Sequence, residues 1–121
     1  LETSGARQHF LNEISRNVSA KTVKVTTDYR KNLIRYTGFD PGKAAEAHHV
    51  FPQAFRKVFF KKGIMIDDAK YLSWWEKTTH RANWSNYNRE WESFLKANPD
   101  GNAILKKGYQ LSEDYGFLTN Y

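Results

Sequence analysis

The sequence predicts a single α+β domain, mostly helical, and three observations predict it. At 121 residues the chain is long enough for one core and too short for two domains of ordinary size. Apolar residues recur at helical spacing in several segments, whereas period-two alternation is confined to short ones. Hydrophobic residues make up 40% and aromatics 16%, with four Trp, seven Tyr and eight Phe, so the core is expected to consist of a few large rings rather than many aliphatics. No internal repeat or low-complexity segment divides the chain. One unit is therefore expected over 1–121, with a helical and extended lead-in over 1–40, a core over 44–98 and a C-terminal helix over 99–121.

Phe10, Leu11, Ile14 and Val18 fall at helical spacing and predict an amphipathic helix over 6–18. Val23 and Val25 alternate in "KTVKVTT" and predict a short strand or extended lead-in. "DYRKNLIRYTG" predicts a helix capped by Asp28 and ended by Gly38, with a strand as the alternative. Asp40-Pro41-Gly42 is a turn, since it joins a fixed φ to a permissive one. "AEAHHVF" is expected to be a strand, stopped where Pro52 opens a helix at its first position. That helix, "PQAFRKVFFKKG", is expected to end at Gly63, with Phe55, Val58 and Phe59 inward and Arg56, Lys57, Lys61 and Lys62 outward. "IMIDD" and "YLSWW" follow as short apolar pieces separated by a polar turn. From about Ser85 to Ala97 a helix should place Trp84, Tyr87, Trp91, Phe94 and Leu95 on one face, with Pro99 ending it. A last helix is predicted over 102–115, closed by Gly116.

Nineteen Lys plus Arg against thirteen Asp plus Glu give a net charge of +6 and a pI near 9.6. Such an excess favours a polyanionic partner, such as nucleic acid or an anionic membrane surface; a face charged only for solubility is the plainer alternative. The excess flanks residues 48 and 49 on both sides and disappears towards the C-terminus. A membrane-surface role fits poorly, because the basic residues lie on helices whose opposite faces are needed for a core. With no cysteine, disulfides and thiolate metal sites are excluded. No apolar run approaches the ~20 residues of a membrane span, and no secretory signal opens the chain. The Leu1-Glu2-Thr3-Ser4 start is read as that of a piece cut from a longer protein.

Two of only four histidines stand side by side as His48 and His49. Neighbours on a strand point to opposite faces and cannot serve one point unless the strand ends or bends there. Pro52 and the 40–42 turn bracket a segment short enough for that. The arrangement suits a division of labour, in which one imidazole binds a metal and the other stays free to accept a proton near neutral pH. The remaining downstream histidine, His80, would fall four residues before Trp84 on the inward face if the long helix extends back by a turn. There it would be either a hydrogen-bonded core histidine or a ligand. Asp67 is a candidate turn cap. Trp74 and Trp75 could offer a ring for base stacking, although on a strand one of the two must face the core, and Trp91 and Phe94 are packing residues.

The order "AHHVFPQ", "GIMID", "WWE", His80, "YNREWESFL" with a following "NP", and the terminal "YGF" resembles the HNH or His-Me-finger nucleases, in their AHH/GHH toxin branch. The resemblance spans about 33–116. It implies a ββα-metal core, with two strands and a helix around one divalent ion. It further implies that His48 and His80 are metal ligands and that His49 is the general base activating water against a phosphodiester. The sequence departs from that pattern at Trp84, where many such nucleases carry a further histidine. Asn83, Asn88, a carboxylate or water would then complete the coordination. Asp67 stands where the middle Asn would be, and could orient His49 or touch the ion. Arg56, Lys57, Lys61, Lys62 and Arg81 would hold phosphates.

The function expected from this resemblance is a metal-dependent endonuclease, with DNA preferred to RNA as substrate. The metal expected is Mg2+ or Zn2+, with Mn2+ or Ni2+ as alternatives. The domain would be the C-terminal toxin module of a larger secreted bacterial effector, acting in the cytoplasm of a competitor and matched by a cognate immunity protein. Nothing in the sequence points to a homo-oligomer. Two other functions fit the same residues: a ribonuclease working with two histidines and no metal, and a nucleic-acid-binding module without catalysis.

Overall fold

The computed structural model describes residues 28–121; the helix expected over 6–18 and the extended lead-in at 21–27 lie outside the described residues. Among the described residues the fold is α+β and mostly helical, with one two-stranded antiparallel sheet. Helix α1 spans Tyr29–Thr37. Its Asp28 cap accepts a hydrogen bond from the Lys31 N–H at 2.9 Å, and Gly38 closes it in the left-handed region at φ 73°, the conformation a Cβ disfavours. This is the helix the sequence predicts.

Strand β1 runs over Ala45–His49 and β2 over Leu72–Glu76, paired so that Glu46 faces Trp75, His48 faces Ser73 and His49 faces Leu72. Strand β1 ends at the histidine pair, and the two rings leave it on opposite faces, His48 against Tyr87 and His49 against Tyr29. Pro52 does not open the following helix: it precedes a 3-10 turn at Gln53–Phe55, and helix α2 occupies only Arg56–Lys61. Phe59 faces the core, but Val58 is 38% exposed, contrary to expectation, because so short a helix turns only a narrow stripe inward. "IMIDD" forms a looped segment rather than a strand, although Ile64 and Ile66 within it are buried.

Helix α3, Lys77–Leu95, starts two turns earlier than the aromatic pattern alone indicates. Glu76 provides the reason: its carboxylate accepts from the Thr78 and Thr79 N–H groups at 3.1 and 2.8 Å and from the Thr79 hydroxyl at 2.7 Å, satisfying donors that a helix start leaves open. Tyr87 and Trp91 are buried as expected, but Trp84 is 54% exposed. On this helix Trp75 of β2 covers His80 and Tyr87, and Phe51 and Phe59 cover Trp91. Helix α4, Gly101–Tyr115, is capped by Asp100 and ended by Gly116.

The core is a cluster of rings, as the composition predicts. Phe51 packs against Phe59, Tyr71 and Trp91 with centroids 5.2 to 5.5 Å apart, and Trp75 meets Tyr87 at 5.5 Å; Ile104, Leu111 and Phe117 complete the cluster. Edge-on and tilted contacts dominate, the geometry favoured by ring quadrupoles. The sheet lies between helices: Trp75 and His48 point towards α3, while His49 and Trp74 point towards α1.

Candidate active site

Alternation along β1 places Glu46 and His48 on the α3 face and His49 on the α1 face. The two imidazoles therefore acquire different partners. His49 Nε2 lies 2.9 Å from Asp67 Oδ1, and Arg56 donates to the other oxygen, Oδ2, at 2.6 Å. The edge of Tyr29 meets the His49 ring with centroids 4.4 Å apart. With Asp67 accepting from Nε2–H, the lone pair of His49 resides on Nδ1. Burial pushes the His49 pKa down, against the upward pull of Asp67, so the ring is a neutral base at pH 7. Partial burial works to raise the Asp67 pKa, but its bonds to Arg56 and His49 outweigh that and hold it below the usual range. Asp67 is thus an ionised carboxylate that orients the imidazole.

His48 sits on the other side among Trp75, Phe117, Tyr87 and His80, at centroid distances of 4.6, 4.7, 4.9 and 5.1 Å. Burial drives its pKa well below the ordinary value, with the His80 and His49 charges acting in the same direction. Its Nε2 is buried without a hydrogen-bond partner, a condition that costs about 1–3 kcal/mol and calls for an explanation. His80, in the first turn of α3, places Nδ1 2.9 Å from Glu46 Oε1. Glu46 also accepts from Arg81 Nε and Nη2 at 3.0 and 2.6 Å, and these bonds, Arg81 first, hold its carboxyl below the usual range despite opposing desolvation.

This donor set fits a cation in part. A metal-bound imidazole characteristically has its second nitrogen held by a carboxylate, as Glu46 holds His80 Nδ1, which leaves Nε2 of His80 for an ion. His48 Nε2 supplies a second nitrogen with no other bond. Among the described residues, no group of three or more His, Asp or Glu side chains is gathered to hold a metal. Two imidazoles would therefore leave the remaining positions to water and substrate oxygens, and nitrogen donors suit a borderline cation such as Zn2+ or Ni2+ better than the hard Mg2+.

The other expected site residues fall in different places. Asn83 donates to the Thr79 carbonyl at 2.8 Å, a bond within α3, and Asn88 lies two turns beyond His80 on that helix. Arg56 and Arg81 are engaged by Asp67 and Glu46, and Lys62 donates to Asn98 Oδ1 at 2.8 Å, whereas Lys57 and Lys61 are exposed on α2. Trp75 is core; Trp74 is half-buried with Arg30 5.0 Å over its ring, so that face of the indole is not open to a base.

Sequence reasoning missed Glu46 and Tyr29. The signal for Glu46 was present: at two residues before His48 on a strand, a carboxylate must share its face. Nothing local to Tyr29 points to His49. Compared with known protein families, curated proteins and solved structures, the chain matches none of them.

Proposed function

We propose that the chain is a metal-dependent endonuclease domain that hydrolyses phosphodiesters, with DNA as the preferred substrate. One observation carries this reading: adjacent imidazoles at the end of β1 are differently equipped, His49 held by an ionised carboxylate and His48 left with a buried open nitrogen beside His80. The first is the arrangement of a general base and the second that of a ligand.

In this mechanism Asp67 fixes His49 with Nε2–H towards the carboxylate, and Nδ1 takes a proton from the attacking water. The new P–O bond forms as the P–O3′ bond breaks, and the 3′ oxygen leaves to be protonated by solvent. Asp67 stabilises the imidazolium that results, and Arg56 keeps Asp67 ionised. His48 and His80 would hold a divalent cation, which when bound supplies charge neutralisation at the phosphate and the departing oxygen. Lys57 and Lys61 attract the polyanion.

The net charge of +6 supports a nucleic-acid substrate and, for a toxin module of a larger secreted bacterial effector, an immunity partner with an acidic face. Supercoiled plasmid and total RNA, each with Mg2+, Mn2+, Zn2+ or EDTA, test the reading beside a His49→Ala control. Plasmid nicking that needs metal and disappears in the variant is the expected result. Plasmid left intact under every cation refutes it, and EDTA-resistant RNA cleavage would replace it with a metal-free ribonuclease.

A further inference from the structure

Between α2 and the 64–67 segment lies a cleft of about 350 Å3, within the ~300–1,000 Å3 range of small-ligand sites. Its exposed lining is overwhelmingly apolar, with Phe60, Ile64, Met65 and Ile66 in the wall, and the solvent-exposed Lys57 and Lys61 line it together with Arg56. Phe60 is 62% exposed and Met65 58%, so a ring face and a thioether remain in water. Lys57, Phe60 and Lys61 lie three and four positions apart on α2, which makes them one ridge. The cleft is also continuous with the candidate catalytic centre: its wall includes Asp67, the residue that holds His49 Nε2 at 2.9 Å.

We infer that this cleft is a nucleobase-docking subsite, in which one unpaired base beside the scissile phosphate stacks on Phe60 while Lys57 and Lys61 hold its backbone. The inference rests on the nuclease reading and adds a substrate class to it, nucleic acid with unpaired nucleotides next to the cut. Three features select this occupant. An apolar floor with a cationic rim is complementary to a ligand that is flat and apolar in one part and anionic in another. A base inside a duplex is covered by its neighbours and presents no face to Phe60, whereas a single-stranded or extruded base does. Chain connectivity then brings the adjoining phosphate towards Asp67 and His49. An acidic protein partner would satisfy the lysines but has no need of a pocket one side chain away from the base.

The test measures binding in EDTA, by fluorescence anisotropy of the full chain with three labelled probes of equal length: a single strand, its duplex, and an abasic strand with the same phosphates. Stacking of one base is worth roughly a 5- to 150-fold change in affinity. Wild type should bind the single strand more tightly than the abasic strand by a factor in that range. Phe60→Ala should remove most of this preference while leaving abasic and duplex binding within about twofold. Lys61→Ala should weaken all three probes alike and lower the salt slope by about one. If Phe60→Ala fails to fold, Phe60→Leu, which keeps apolar volume and loses the ring, should give the same pattern.

Equal affinity for base-bearing and abasic strands overturns the inference, as does a Phe60 effect of the same size on every probe. Displacement by a polyglutamate peptide with no dependence on bases assigns the cleft to an acidic protein and overturns it as well. The plasmid assay stays separate. Base-dependent binding by a protein that nicks nothing would remove the nuclease and keep the cleft; nicking indifferent to Phe60 and to bases would do the reverse.

Discussion

Replacing Tyr87 with phenylalanine removes one oxygen from the centre of the molecule and tests what fixes the end of β1. The Tyr87 hydroxyl donates to the Val50 carbonyl at 2.5 Å, across 37 positions of sequence. Tyr87 is 1% exposed and Val50 0%, so water does not replace the donor. The Val50 N–H is occupied separately by the Tyr71 carbonyl at 3.0 Å. The Tyr87→Phe variant would keep the ring contacts with His48, Trp75 and Tyr115 but leave a buried carbonyl unpaired. That penalty is about 1–3 kcal/mol, partly offset because a hydroxyl no longer has to be desolvated, so a net loss of about 1–2 kcal/mol is expected. At about 2.1 cal/mol/K of unfolding entropy per residue, 121 residues give roughly 4 °C per kcal/mol, so Tm should fall by about 4–8 °C. Urea denaturation should show a lower midpoint with unchanged slope, the sign of lost stability without a change in the surface exposed. A Tm within about 1 °C of wild type would refute the claim that this bond anchors the chain directly after the histidine pair.

Three further outcomes follow from the same contacts. Asp67→Asn should reduce cleavage by roughly 10²- to 10⁴-fold: a guanidinium has only donors, so Arg56 claims the single amide oxygen and the NH2 is turned towards His49 Nε2, forcing the opposite tautomer; 15N chemical shifts of the imidazole check the tautomer, and activity within a few-fold of wild type would deny His49 its role. Glu76, whose bonds to Thr79 and Thr78 push its pKa down to about 2 from 4.5, contributes stability that is present above pH 4.5 and lost as pH falls towards 2; Glu76→Gln should be less stable at pH 7 and flatter through that acid window in Tm measurements. Gly108→Ala would ordinarily stabilise a helix interior by about 1 kcal/mol, yet an added Cβ would stand 3.2 Å from both Phe51 and Val50 and collide with the Tyr121 hydroxyl, which donates to Leu105 at 2.7 Å; a lower Tm is expected, and a higher one would mean that Tyr121 moves aside at no cost.

Much of the fold could be read locally because its signals are local. Asp28 and Gly38 bracket α1, Asp100 and Gly116 bracket α4, and each acts on backbone groups within a few residues. Expectation and structure part where a boundary depends on something other than the apolar pattern. The first two turns of α3 carry no aromatic stripe and exist because Glu76 caps them, and Pro52, which suits a first helical position, instead precedes a 3-10 turn. Periodicity turns Val58 and Trp84 inward, but it gives only the direction of a face, and the width of that face depends on the neighbour that covers it.

For the site, the sequence alone determined the chemistry available: two adjacent histidines that a strand must send to opposite faces, a third at the head of a helix, an Asp after "GIMI", and basic residues on both sides. Tertiary structure alone decided who meets whom. Asp67 is 18 positions from His49, and Glu46 is 34 from His80; such pairings come from the antiparallel register of β1 with β2 and from the way the 64–67 segment folds back on α2. Periodic patterns encode which way a side chain points from its own backbone, but the distance between two side chains remote in sequence depends on every element packed between them, and that information resides only in the assembled core.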